Sequence, residues 1–511
     1  MTTILIWLLR KMHLRSQWFV TSIGLLLAWV ATYLLRDRLP IELEFSIWEP
    51  QTLFSTPLLF SLDGITWPLW MACLAILLVI SLTLPSRSVV IPIRERLTSL
   101  IYLCFTSAAV LAGNILTVLI TWMLMDVFIL SLGLRDTNHD EGGAEIIKWF
   151  GKNLISIFLL LIAAVFDLSR GGSPRFFDQM MGTSVVIVIL SSLLRMPIHS
   201  ISSYGKKIGW SDSGMISTLS IFPALSGFSV LGHVLASGIK TDAILWGRII
   251  GGFCLTFSMI QFFLRIRKNH STINLYLGVF GVGVLAASYG SMEAGILISV
   301  LGVLVISLNA SLNYLPIHEN WHTVIPILFI GMLAGLPGTL GGELGSKTAN
   351  EIINSGAIGI ALLVWFGMGI LSGNILKRAV LVPQDWQNSE NLTRISYALG
   401  LIFLVVNAVI IGIETNQDVT LKGLIFFLST AFLASLVYYG MTRLERKLTK
   451  VIYVRLRIPQ IKNWGNSILA VGQIPLRILS GIGSIFESET GMLWAFIILQ
   501  FIILALGKLG L

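Results

Sequence analysis

Few side chains in this sequence could carry a proton or a small cation through apolar surroundings. Charged residues make up 12% of the 511 positions, against 55% hydrophobic. Asp126 interrupts the apolar run 115–134, Lys152 stands one turn inside the run 149–168, and Arg195 lies at the end of the run 178–196. Further on, Glu343, Lys347 and Glu351 follow one another at four-residue spacing, a favourable order for ion pairing if the segment is helical. Ionisable groups are expensive in hydrocarbon and, where present, mark ion or proton paths. Arg195 is the exception, because a guanidinium holds an anion but does not release a proton. Asp167, Glu293 and Arg248 fall near the ends of apolar runs and read as interfacial, while His199 and His233 are lone imidazoles that read as hydrogen-bonded core residues. The three cysteines, Cys73, Cys104 and Cys254, are too far apart for a metal or redox motif and read as small hydrophobes. No GxGxxG, Walker loop, CxxC or HExxH occurs, so the sequence supports no metal site and no cofactor.

The elements that must position these residues follow from composition. A mean hydropathy of +0.84, with half the usual charge content of about 25%, excludes a soluble enzyme, a disordered chain and a fibre. An all-α polytopic membrane protein remains. At about 20 apolar residues per crossing, about fifteen transmembrane helices are expected. They fall near 17–35, 66–85, 98–112, 115–134, 149–168, 178–196, 213–236, 243–264, 272–289, 292–310, 323–345, 354–375, 393–413, 421–440 and 491–508. Residues 3–9 are too short to cross, and no cleavage site marks the first span as a signal peptide.

Basic residues mark cytoplasmic loops. Arg10, Lys11 and Arg15, then Arg87, Arg94 and Arg96, Lys206 and Lys207, Arg265, Arg267 and Lys268, and Lys377 and Arg378 alternate onto one side. The linker 441–489, with Arg443, Arg446, Lys447, Lys450, Arg455, Arg457 and Lys462, joins them. Exceptions are the Arg170/Arg175 loop, which falls outside, and the acidic inner loop 135–148. The expected orientation is N-terminus cytoplasmic and C-terminus outside, in an energy-coupling membrane of bacterial type. The net charge of +9 is then topological, not a nucleic-acid surface. Within 441–489, the stretch SILAVGQIPLRILSGIGSIF reads as a lateral or interfacial helix leading to the last span.

Two spans carry proline where a helix should continue: Pro197 after SSLLRM, and Pro337 within LAGLPGTLGG. Non-helical backbone at membrane depth survives only where protein or a wet cavity satisfies it. Similar breaks in two oppositely directed halves are the mark of inverted repeats. The expected organisation is N-terminal helices in 1–97, a first five-helix repeat in 98–236, a second, inverted, in 243–375, C-terminal helices in 393–440, the basic linker 441–489, and a terminal helix in 490–511.

Several stretches resemble the antiporter-like, proton-translocating subunits of respiratory complex I. Leu62–Thr66 (LDGIT) is similar to the LDGLS that opens a helix in that family, and Ala112–Met125 to the segment containing its tryptophan, with Trp122 in register. Met196–His199 (MPIH) resembles the FPFH after the first broken helix, and Arg267–Lys268 the DIKR loop. Leu333–Ile352 resembles the LAGIPPFAGFFSKDEI around the second break, and Phe486–Trp494 the SENGYLRW before the last helix of the largest such subunit. The same architecture occurs in Mrp-type sodium/proton antiporters, membrane-bound hydrogenases and the membrane partner of a bicarbonate-accumulating complex.

The resemblance implies a Glu–Lys pair in the first half, a His/Lys relay in the middle and a Lys at the second break. The Glu position is occupied here by Met123, with Asp126 three residues on, either replacing it one turn lower or standing as an inner-end residue beside Arg135. The Lys position is Ser192, with Arg195 one turn along; a family His falls near Thr218 or Leu219; and the central relay aligns with Ile298, Gly302 and Ile306, all inert. Lys347 matches the Lys of the second break at slightly longer spacing, and with Glu343 forms either an outer half-channel or a solvated loop after a span ending at Leu340. Lys152 matches a family Arg, or snorkels from the inner end.

The resulting expectation is a divergent antiporter-like subunit of a larger energy-transducing complex, structural or coupling, with a degenerate proton path. Its partners would be other membrane subunits and lipid, within a redox-driven proton translocase or a related assembly. Two alternatives stand beside it: an active cation/proton-translocating subunit with relocated ionisable residues, and a stand-alone secondary transporter.

Overall fold

The computed structural model describes residues 14–45, 57–83, 93–136, 140–169, 180, 182–196, 221–236, 241–264, 271–291, 293–313, 321–341, 344–379, 391–414 and 420–451. Two compact units divide the chain: 1–43 with 59–441, and 44–58 with 442–511. In the second unit the description is confined to 44–45, 57–58 and the last turns of a helix, 442–451. Pro197, Glu343, His199, most of the linker 441–489 and the terminal span 491–508 lie outside the described residues.

Fifteen helices are present among the described residues. The first six are α1 (Leu14–Leu34), α2 (Thr66–Thr83), α3 (Ile93–Val110), α4 (Ile115–Asp136), α5 (Asp140–Ser169) and α6 (Thr183–Arg195). Then come α7 (Phe222–Ala236), α8 (Thr241–Leu264), α9 (Ser271–Ser288), α10 (Ala294–Asn313) and α11 (Trp321–Leu333). The last are α12 (Leu344–Asn354), α13 (Ile358–Ala379), α14 (Asn391–Glu414) and α15 (Leu421–Val451). Eight of the described helices are long and apolar enough to cross a bilayer, and six more are shorter but apolar. The protein is an all-α polytopic membrane protein.

The helices sort by how much of their circumference is apolar. α2 reads TWPLWMACLAILLVISLT, is apolar all round, and is buried on nearly every side against α1, α14 and α10. α7, α9 and α10 are buried in the same way and belong to this inner layer. Around it, α8 exposes Leu245, Ile249, Phe253 and Ile260, and α14 exposes Ile395, Leu399, Ile402 and Ile413, as faces turned to lipid or to another chain must. α8 and α9 approach most closely at two glycines: a Cβ on Gly281 would meet the Gly251 carbonyl oxygen at 2.7 Å. Small residues at such a crossing let backbones touch where no hydrophobic force drives helices together. Cys73 and Cys254 are buried as expected, while Cys104 is exposed.

Two stretches that carry the resemblance prove to be helix starts. Asp63 Oδ1 accepts the backbone N–H groups of Ile65 and Thr66, each at 2.9 Å, and Thr66 Oγ1 accepts the N–H of Asp63 at 2.9 Å, a reciprocal cap on α2. Asn114 Oδ1 accepts the N–H of Thr117 at 2.8 Å and caps α4. The region between α1 and α2, outside every expected span, holds a two-stranded sheet of β1 (Ile41–Phe45) and β2 (Leu58–Leu62).

The eleventh expected span, 323–345, is corrected. Its helix stops at Leu333, where Leu336 N–H bonds the Gly331 carbonyl and Gly335 N–H bonds that of Met332, with Gly335 at φ 97°. Those two bonds with a left-handed residue form a Schellman stop. Gly338 turns the chain again at φ 71°, Pro337 lies between, and α12 starts a new helix at Leu344. The glycines produce this break as much as the proline does. At the other break α6 ends at Arg195, and Met196 is extended (φ −63°, ψ 148°), the conformation a following proline imposes.

Candidate functional site

Three helices bring the first-half candidates together. α4 places Trp122 and Asp126 four residues apart on one face, α5 supplies Lys152, Asn153 and Ser156, and the end of α6 supplies Ser191, Ser192 and Arg195. Arg195 Nη1 donates to Asp126 Oδ1 at 2.8 Å, and both side chains are 0% exposed. Asn153 Nδ2 donates to the same oxygen at 3.0 Å. The guanidinium lies 4.2 Å from the centre of the Trp122 ring, a cation–π contact. Lys152 Nζ donates to the Met196 carbonyl at 3.2 Å, so two cations meet the negative end of the short helix α6. Hydroxyls of Ser156 and Ser191 bond reciprocally to each other's carbonyls, at 2.9 and 2.7 Å, and fasten α5 to α6.

Asp126 stands near the middle of the apolar stretch Ile115–Leu134, so the pair lies at membrane depth. Arg195 stands at the end of its span as expected, the last residue of the 13-residue α6, and is fully buried there. The pair is under-satisfied: Asp126 Oδ2, Asn153 Oδ1, Arg195 Nε and Nη2, Trp122 Nε1, Ser192 Oγ and Tyr102 OH are buried without a hydrogen-bond partner.

The middle is apolar. Ile298 and Ile306 on α10 are fully buried, and a Cβ on Gly302 would meet Phe228 Cδ2 of α7 at 2.9 Å. Two neutral polar groups nearby are engaged in packing contacts, Ser299 Oγ donating to the Ile65 carbonyl at 2.9 Å and Asn309 Nδ2 to Tyr276 OH at 3.2 Å, while the buried Ser307 Oγ has no hydrogen-bond partner among the described residues. His233 Nδ1 lies 3.5 Å from Asp63 Oδ2 at the end of α7, so this imidazole is tied to the α2 cap.

In the second half, Lys347 on α12 pairs with Glu293 at 3.3 Å, and both side chains are 45% exposed. Its described partner is therefore 54 residues away, while Glu343 lies outside the described residues. An exposed pair of this kind contributes about 0–1 kcal/mol. Glu351 is half-buried, and Met123 is half-buried against the core. Asp167, expected at an interface, is buried; Arg248, also expected there, is exposed and stacks on Tyr289 at 4.2 Å. Among the described residues no three His, Cys, Asp or Glu side chains could hold a metal.

No family model matches the chain, and no curated protein sequence does. Solved structures do. A chain of the membrane-bound sulfane sulfur reductase, an archaeal respiratory membrane complex, is 14% identical with TM-score 0.58, covering 99% of this chain and 98% of that one. A chain of respiratory complex I from Thermus thermophilus is 12% identical with TM-score 0.59, covering 82% and 95%. A chain of the Mrp complex from Dietzia sp. DQ12-45-1b is 13% identical with TM-score 0.63; all of this chain aligns, to 62% of that one. The chain has the antiporter-like subunit fold.

Set on the antiporter-like fold, the pair acquires a direction. The resemblance puts the acid at Met123 and the base at Ser192, and the pair found here is at Asp126 and Arg195. Each partner stands three residues later in sequence, about 4.5 Å along an α-helix. The sequence signal was Trp122 four residues before Asp126; the roles of Asn153 and of the Met196 carbonyl had no local signal.

Proposed function

We propose that the chain is a structural or coupling subunit of a hetero-oligomeric, energy-transducing membrane complex and does not itself conduct protons. One observation carries this reading: the layer at Ile298, Gly302 and Ile306 is packed, with no room at Gly302 for an added Cβ. A hopping proton needs groups that change protonation in sequence, and hydrocarbon side chains cannot supply them. On the first side of that layer, the acid is held by an arginine that keeps its proton. Degeneracy therefore affects both the relay and its first-half terminus.

The proposal includes the orientation, N-terminus cytoplasmic and C-terminus outside in a membrane of bacterial type, and the repeats 98–236 and 243–375. Supporting the repeats, α6 and α11 are both half-helices of 13 residues that end at a break. The respiratory and Mrp complexes whose chains share the fold make other membrane subunits the natural partners, with an extramembrane catalytic subunit on the basic face.

The test is isolation of the tagged full-length chain from its native membrane in a mild detergent. The expected result is co-elution with other membrane subunits in fixed ratio. A chain that purifies alone, stays folded and gains thermal stability from a small solute would instead be a solitary transporter.

A further inference from the structure

We propose that Arg195 is the centre of a buried binding site for a small monovalent anion, lined by residues of α3, α4, α5 and α6. The argument begins with how little of the guanidinium is used. Only Nη1 is bonded to Asp126, while Nε and Nη2 are buried and unpartnered. Those two nitrogens present parallel N–H donors along one edge, the fork that takes two oxygens of an anion or a single halide. The Arg195 Cζ lies 4.2 Å from the centre of the Trp122 ring, which packs against the guanidinium.

The unpartnered atoms nearby are mostly donors. Trp122 Nε1 donates only, and the hydroxyls of Ser192 and Tyr102 can donate; Asp126 Oδ2 and Asn153 Oδ1 are the acceptors left over. Ser192 stands one turn before Arg195 on the same helix. Among the described residues, charge is unbalanced in the same sense. One carboxylate, Asp126, faces Arg195 and, across the Asn153 position, Lys152, whose ammonium is held at the Met196 carbonyl. Water could occupy the donors, but it cannot offset a net positive charge in a low-dielectric core, where uncompensated ions cost several kcal/mol. A monovalent anion in the fork satisfies both demands. The adjacent Asp126 carboxylate disfavours a divalent one.

The site does not depend on the non-conducting role proposed above, since a chain that conducts protons could hold the same ion. Nitrate and bromide are the probes, with gluconate, too large for the fork, as the control. Thermal unfolding of the purified full-length chain is followed at constant ionic strength while gluconate is replaced by either probe. The expected result is a saturating rise in Tm with nitrate and with bromide. Trp122→Phe keeps the ring beneath the guanidinium and removes one donor, and Ser192→Ala removes another. Each should raise the half-saturating concentration about tenfold, the effect of one hydrogen bond to an ion. Three outcomes overturn the proposal: equal Tm in all three salts, meaning ordered water only; a linear, unsaturating response, meaning a general salt effect; or saturation unchanged in both variants.

Discussion

Replacing Asp126 with Ala is expected to destabilise the chain by about 3–5 kcal/mol, the cost of leaving one member of a buried pair uncompensated. Arg195 is fully buried and cannot swing to solvent, its Nη1 loses its partner, and Asn153 Nδ2 loses the same acceptor. The companion double variant, Asp126→Leu with Arg195→Met, should lie close to the wild type, because two apolar side chains of similar volume carry no desolvation penalty. Thermal or denaturant unfolding in detergent measures both. A single variant within about 1 kcal/mol of wild type would mean that water reaches the pair and that it behaves as a surface contact.

Gly302→His should be at least as damaging. It restores an imidazole where the resemblance places a relay histidine, at a position where even a Cβ meets the Phe228 ring at 2.9 Å. Overpacking and an unpaired buried polar group act together here, and a loss above about 4 kcal/mol, seen as failure to yield folded protein, is expected. Ile298→Val, which only trims the same layer, should cost about 0.5–1.5 kcal/mol and serves as the control. Folded, monodisperse Gly302→His protein with a wild-type Tm would reveal a pocket in the middle layer and contradict the account of it.

How far these features could be read in advance depends on the range of the interaction. Helices such as α2 and α10 are legible because twenty apolar residues in a row have few alternatives. Helix stops are only partly legible: Gly290, at positive φ, stands at the end of the expected span 272–289, whereas Gly335 and Gly356, which also close helices at positive φ, fall inside the expected spans 323–345 and 354–375. The strands β1 and β2 were missed although IELEF alternates in strand fashion, because they are short and sit in a polar connection. α12 was missed as a helix of its own because 11 amphipathic residues after a glycine-rich turn lack the length of a span.

The site was legible in its residues and not in its partnerships. Asp126 and Arg195 could be named from their isolation in apolar sequence, but they are 69 positions apart, and the burial of Arg195 follows from the packing of α6 and not from its local sequence. Lys347 drew attention through Glu343, four residues away, and the described pair is with Glu293, in the turn before α10. In each case a local spacing pointed to the right residue, and tertiary packing chose its neighbour.

Ion flux into liposomes that hold the purified chain tests the central claim most directly. With an imposed pH or sodium gradient and an internal pH dye, the account predicts dissipation no faster than in protein-free liposomes. Rapid proton or sodium flux that disappears in Lys347→Ala, whose exposed ion pair makes it a variant expected to fold, would contradict it.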